Sequence, residues 1–312
     1  MRALHRVLTI VCFVAFSIVH GATGVTGAAL AGEPDCRTCE GRGIRPCAEH
    51  DDQECLREGE LRYCSHYRGC TVCGETGWVD CPECDDGEPT AELARRVVDW
   101  RNRAASHAKY AEEMGRPLRI GESEHFVLIW ELDRYKVDKK LLAGHELLHL
   151  YLSRLERLYD EYTTALALTG RSIPAKPVVM IWWSPEDQER ASLRFVETKS
   201  TSGAKMLGAR PLFTVLGNSA QLRKDEDLHR SVVHNVAHLL LSNQSPSHWL
   251  GNIGAGWVDA GIAHYFEDKL SGLCTNYCYQ EQNTLVDFKG GKWRPAIRKM
   301  VAEGKAASFA SV

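Results

Sequence analysis

The chain has 312 residues, a formal net charge of −3 and 25% charged residues. That near-neutral balance excludes broad electrostatic contact with nucleic acid or an anionic membrane as the main activity. A hydrophobic share of 44% excludes disorder throughout, and the length suffices for one or two domains.

The first residues read as an address. Arg2 and Arg6 flank the start of a mostly apolar run, Val7–Val19, which is shorter than the ~20 residues of a membrane span. Ala29-Leu30-Ala31 fits a small-x-small cleavage site, so residues 1–31 are expected to be a signal peptide, with an uncleaved anchor as the alternative. The expectation is an exported protein of the bacterial periplasm or extracellular space, with no stable membrane span after cleavage. That compartment favours disulfides.

Twelve cysteines are the compositional anomaly. Cys12 lies in the apolar run, Cys274 and Cys278 lie near the end, and all the others fall between Cys36 and Cys84. Residues 32–87 are rich in Cys, Gly, Asp and Glu and poor in apolar runs, so this module needs staples. It contains a repeat. Cys36-Arg-Thr-Cys39 precedes Cys47-Ala-Glu-His50 at the same interval at which Cys70-Thr-Val-Cys73 precedes Cys81-Pro-Glu-Cys84. Two such pairs close one tetrahedral zinc site, so Cys36, Cys39, Cys47, His50, Cys70, Cys73, Cys81 and Cys84 are expected to hold two structural zinc ions. A disulfide scaffold is the alternative, and His50, which cannot enter a disulfide, favours metal. Cys55 and Cys64 fall outside the repeat and are expected to form a disulfide or remain free thiols.

At these residues the chain resembles the cysteine-rich zinc domain of DnaJ-type co-chaperones. Cys36-Arg-Thr-Cys-Glu-Gly-Arg-Gly43 carries the full Cys-x-x-Cys-x-Gly-x-Gly motif, and Cys70-Thr-Val-Cys-Gly-Glu-Thr-Gly77 departs from it only at Glu75. Cys81–Gly87 is shortened and Cys47–His50 departs most. In that family the first and fourth pairs share one ion and the second and third another; the spacing here leaves the pairing open. The chain has no His-Pro-Asp turn, so the resemblance implies a zinc-stapled module and a surface for extended protein segments, without co-chaperone activity.

Glu88-Pro89 marks a joint, and residues 88–120 read as a linker helix, with Thr90–Met114 amphipathic and basic. Further elements follow in order. His125–Leu132 reads as a strand. Asp138–Leu168 reads as a long helix with a stripe of Leu141, Leu148, Leu152, Leu155, Tyr159 and Tyr162. Pro177–Trp183 and Arg210–Leu216 read as strands, and Asp225 to about Ser242 and Asp259–Leu270 as helices. The expected architecture is a small zinc-stapled loop and β-hairpin module followed by an α/β (α+β) domain over residues 121–312.

Two His-x-x-x-His sequences bear on function. His145-Glu146-Leu147-Leu148-His149 has the form of a zincin motif, two His one turn apart with a Glu as general base. No third ligand follows on the helix, where Glu156 is ~10 Å further along the axis. The favoured expectation is therefore a packing helix. The rival is an active metallopeptidase with His145 and His149 on zinc and Glu146 as catalytic base.

His234-Asn235-Val236-Ala237-His238 is followed by Trp257-Val-Asp-Ala-Gly-Ile-Ala-His-Tyr265. This arrangement resembles the gluzincin metallopeptidases, specifically bacterial peptidase-MA-like proteins, whose pattern is His-Glu-x-x-His and then Trp-x-x-Glu-Gly-x-Ala-x-Tyr. The resemblance implies a zincin-like fold over residues 121–312 and places the general base on Asn235 and the third zinc ligand on Ala260, so both are lost. Asp259 is one residue off that place and would point about 100° away; His264 is another potential ligand. Only residues 268–312 follow Glu267, which implies a reduced or incomplete version of the family's helical C-terminal part. Cys274 and Cys278 are expected as a disulfide, with a metal clip to His264 or free thiols as alternatives. The function expected is binding or scaffolding of protein or peptide in the cell envelope by an inactive peptidase-like protein; a disulfide-rich structural protein without metal is a further alternative.

Overall fold

The computed structural model describes residues 36–50, 55, 61–84, 90–169, 172–244, 256–276, 278 and 293–305. The expected signal peptide lies outside them. Among the described residues no helix is long and apolar enough to cross a membrane.

The architecture is mixed α/β. The cysteine-rich segment contributes β1 (Ile44–Pro46) and β3 (Trp78–Asp80), paired antiparallel, and β2 (Tyr63–Cys64). Helix α1 (Ala91–Met114) follows, with the Thr90 side chain accepting from the Leu93 N–H and Gly115 closing its end at φ 69°. Strands β4 (Ile120–Glu122), β5 (Val127–Trp130), β8 (Val178–Trp182), β9 (Gly203–Met206) and β10 (Leu212–Leu216) build a six-stranded sheet with β2, in the order β2-β4-β5-β8-β10-β9. Its centre, β5-β8-β10, is parallel, and the edges are antiparallel. The central strands are nearly continuous apolar runs, as burial on both faces requires.

The long helix expected from Asp138 is shorter than its periodicity suggested. Residues 134–143 form a hairpin of β6 (Arg134–Val137) and β7 (Lys140–Ala143). Asp138 takes a left-handed φ of 52° at the turn, a conformation Asp tolerates. Leu141, the first residue of the supposed stripe, is exposed. Helix α2 (Gly144–Ala165) then buries Leu148, Leu152, Leu155, Tyr159 and Tyr162 as expected. Helices α3 (Pro185–Phe195), α4 (Asp225–Gln244), α5 (Gly256–Ser271) and α6 (Trp293–Ala302) complete the described fold.

Strand register assigns the two faces of the sheet. Ile120, Ile129, Met180 and Thr214 stand in one row; Thr214 Oγ1 donates to Gln188 of α3, so this row faces α3. Gly121, Leu128, Val179 and Phe213 form the adjacent row on the other face. A Cβ on Gly121 would lie 2.7 Å from Leu152 Cδ1, so this row faces α2 and glycine permits the close approach. Although sequence composition changes near Gly87, described residues on both sides of that point share one sheet and one core. Strand β2 belongs to the large sheet, and one core cluster runs from Ile44 and Cys47 to Ala263 and Phe266.

Candidate metal centres

Two clusters lie within the cysteine-rich segment. Cys36 and Cys39 gather with Cys81 and Cys84, and Cys47 and His50 with Cys70 and Cys73. The first pair thus joins the fourth and the second joins the third. The β1–β3 ladder causes this nesting: Cys47 N–H donates to Gly77 O at 2.8 Å and Cys81 N–H to Gly43 O at 2.9 Å, which brings each knuckle beside one from the other half. Both halves repeat one detail. Gly43 N–H points at Cys39 Sγ and Gly77 N–H at Cys73 Sγ, each at 3.2 Å. Both glycines need positive φ, 72° and 77°.

The separations fit a tetrahedral ion. A centre with ~2.3 Å bonds to sulfur and ~2.05 Å bonds to nitrogen has edges of about 3.8 Å (S···S), 3.6 Å (S···N) and 3.3 Å (N···N), the zinc values. Cys36 Sγ lies 3.8 Å from Cys81 Sγ, Cys39 Sγ 3.7 Å from Cys84 Sγ, and Cys73 Sγ 3.7 Å from His50 Nε2. Crowding splits the thiols electrostatically. Burial opposes ionisation of Cys39, yet the Gly43 N–H and neighbouring thiols hold it down to about 7, while Cys36 and desolvation push Cys84 up to about 12. A cation would relieve this mutual repulsion.

A third cluster joins the two parts of the chain. Cys55 and Cys64 meet His145 and His149. Cys55 Sγ lies 2.9 Å from His145 Nε2 and 3.1 Å from His149 Nε2, Cys64 Sγ lies 3.4 Å from His145 Nε2, and the two Nε2 atoms are 3.1 Å apart. The ring of His66 stacks on that of His145 at 4.0 Å. Glu146 turns away from this cluster: its Oε2 accepts the Ala143 N–H at 2.7 Å and so caps the start of α2. The expected Cys55–Cys64 disulfide is not present, since both are free thiols. The sequence signal was two incomplete sets: two cysteines outside the repeat, and a His pair without a third ligand.

The fourth cluster is on α4 and α5. His234 and His238, one turn apart and buried, point Nε2 atoms at each other across 3.3 Å. Cys278 Sγ completes a triangle at 3.5 Å from His234 Nε2 and 3.2 Å from His238 Nε2. The opposite ring nitrogens meet carboxylates on α5. His234 Nδ1 lies 3.1 Å from Glu267 Oε2, and His238 Nδ1 lies 2.8 Å from Asp259 Oδ1 at an angle too bent for a good hydrogen bond. Burial lowers both imidazoles, His234 to about 4 despite Glu267, so both are neutral near pH 7. Asp259, expected to point away, therefore supports His238. Asn235 does not enter the cluster: its Nδ2 donates to Ser231 O at 2.9 Å, and its Oδ1 accepts from Lys205 Nζ at 3.3 Å.

His264 and Glu267 form an alternative group with His234, but Glu267 is already committed. Its Oε1 accepts from Thr275 N–H, Asn276 N–H and Asn276 Nδ2 at 2.7, 3.1 and 2.8 Å. It orients His234 and anchors the 274–276 segment. Cys274 and Cys278 do not pair with each other; Cys274 Sγ lies 2.8 Å from His264 Nδ1. Glu267 was missed as a site residue, and Cys278, expected in a disulfide or a metal clip with His264, lies instead beside His234 and His238. Glu267 lies two turns beyond Asp259 on α5, a spacing visible in the sequence, whereas the approach of Cys278 is not.

No protein-family model, curated protein or solved structure matches the chain. Metal-binding capacity therefore rests on the geometry of these Cys and His clusters.

Proposed function

We propose that this chain is an exported zinc-binding protein of the cell envelope that binds or scaffolds protein or peptide segments, and that its metallopeptidase-like domain does not hydrolyse them. The observation that carries this reading is where the two potential general-base positions point. Hydrolysis needs a carboxylate within reach of a metal-activated water. At the first His pair, Glu146 caps α2, and four protein donors surround the centre, the closed arrangement of structural zinc. At the second, the position is Asn235, an amide tied to Lys205 and Ser231. The DnaJ-like ribbon motifs support a role in contacting extended chains. So do Trp257 and Tyr265, about half exposed on α5, since surface aromatics favour partner contact.

The test mixes the zinc-loaded full chain with labelled extended peptides, following anisotropy for binding and mass spectrometry for cleavage. Saturable binding, weakened by a Trp257→Ala/Tyr265→Ala double variant, without cleavage is expected. Cleavage that a chelator stops and Asn235→Ala or Glu146→Gln abolishes would overturn the proposal.

A further inference from the structure

We infer that His234, His238 and Cys278 form a further metal centre, in which a thiolate supplies the third protein ligand and an exogenous ligand the fourth. The first support is the convergence of donors. Three ligand atoms from two segments form a triangle with sides of 3.3, 3.5 and 3.2 Å, close to the edges of about 3.3 and 3.6 Å of a tetrahedral zinc ion with nitrogen and sulfur ligands. Cys278 thus takes the ligand role that the sequence frame assigned to Ala260.

The second support is the outer layer. His234 directs Nδ1 to Glu267 Oε2 at 3.1 Å, the arrangement that fixes a metal-binding histidine with its Nε2 lone pair toward the ion, and His238 Nδ1 lies beside the Asp259 carboxylate without a hydrogen bond to it. The two Nε2 atoms face each other at 3.3 Å in a buried site, the placement that two imidazoles sharing one ion take up. The Cys278 proton can satisfy only one of them, whereas a divalent ion satisfies both together with the thiolate. Glu267 is itself fixed by Thr275 and Asn276, so the residues just before Cys278 are tied to the carboxylate that orients His234.

The ligand count gives the chemistry. Three protein donors among the described residues leave one tetrahedral position for a small ligand from solvent, the feature that separates open centres from closed ones. The half-buried Lys205, whose Nζ reaches Asn235 next to His234 on α4, favours an anionic occupant. A thiolate and two neutral imidazoles suit a borderline-soft divalent ion such as zinc.

The experiment uses the full chain loaded with zinc. Elemental analysis of Cys278→Ser and His238→Gln should each give one equivalent fewer per chain than wild type. Alkylation mapped by mass spectrometry distinguishes this loss from misfolding: in His238→Gln, Cys278 should become reactive while Cys36, Cys64 and Cys73 stay protected. In cobalt-substituted protein, azide should change the visible spectrum of wild type but not of Cys278→Ser. Unchanged metal content in both variants, or a wild-type cobalt spectrum insensitive to azide, would overturn the inference.

Discussion

Cys64 stands directly opposite Gly121 in the β2–β4 ladder. Residues paired across such a ladder share a face, so Cys64 faces α2 because Gly121 does. Register thus delivers a cysteine of the ribbon to the histidines of α2. Gly121→Val should push α2 outward against Leu152 and Leu148. A cost of about 1–3 kcal/mol is expected for such overpacking, read as a lower denaturation midpoint, with faster chelator extraction of one metal equivalent. An unchanged midpoint would show that α2 does not pack tightly on this row.

The third cluster separates a cap from a catalyst. Cys55→Ser or His149→Ala should release one ion and lower the melting temperature of the whole chain, because metal-binding energy at a structural site is folding energy. Glu146→Gln should keep every ion and cost less than about 1 kcal/mol, since the amide oxygen can still accept the Ala143 N–H. Metal content and thermal melts of the three variants decide the matter; loss of an ion in Glu146→Gln would contradict the capping role.

Cys70→Ser should release the ion of the Cys47–His50–Cys70–Cys73 cluster and expose residues 36–50 and 65–84 to protease. The six-stranded sheet should persist, because β2 is held by β4 and by the third cluster. Limited proteolysis with fragment masses checks this, and collapse of far-ultraviolet circular dichroism in the variant would contradict it.

Much of this arrangement was legible in the sequence, for particular reasons. The ribbon ligands were readable because a Cys-x-x-Cys pair is local and its repeat interval is visible. Helices α1 and α4 and strands β5, β8 and β10 were readable from apolar runs and periodicity. The β6–β7 hairpin was hidden because Leu141 continues the helical stripe of α2 while Asp138 and Lys139 make a two-residue turn. For Cys55 and Cys278 the sequence leaves disulfide, thiol or metal roles open, because their neighbours come from helices distant in sequence, His145 and His149 on α2 and His234 and His238 on α4. Asp259 was discounted by counting from an assumed ligand at Ala260, yet it meets His238 across the helix pair.

Glu122 provides a pH test independent of metal. Burial opposes its ionisation, but His107, Lys176 and Arg103 hold it down to about 2. Lys176 Nζ lies 2.6 Å and His107 Nε2 2.8 Å from its oxygens. A carboxylate lowered on folding stabilises the protein above its ordinary value of about 4.5 and loses that contribution as pH falls toward 2. The span corresponds to up to about 3 kcal/mol. Urea denaturation of metal-free protein between pH 5 and pH 2 should show this falling limb, and Glu122→Gln should flatten it. A variant with the same acid sensitivity as wild type would assign the limb to other carboxylates.

Asn235→Glu tests the proposed reading of the second His pair as a peptidase-like site without hydrolysis. The substitution places a carboxylate, the residue type a zinc peptidase uses as general base, at that position. The new carboxylate, however, would inherit the position of Asn235 Oδ1, beside Lys205 Nζ. An ion pair there keeps the carboxylate charged and turned toward the lysine, so its proton affinity and its reach toward a metal-bound water both fall. On the inferred ligation, the Cys278 thiolate would also donate more charge to an ion than a carboxylate ligand does and weaken its activation of water. The single variant should therefore cleave no peptide while retaining wild-type metal content. Adding Lys205→Met removes the competing ammonium, and a gain of chelator-sensitive cleavage only in this double variant would identify Lys205 as the residue that holds the site inactive. Turnover by Asn235→Glu alone would instead mean that the surroundings still support hydrolysis and that loss of the base is the entire defect.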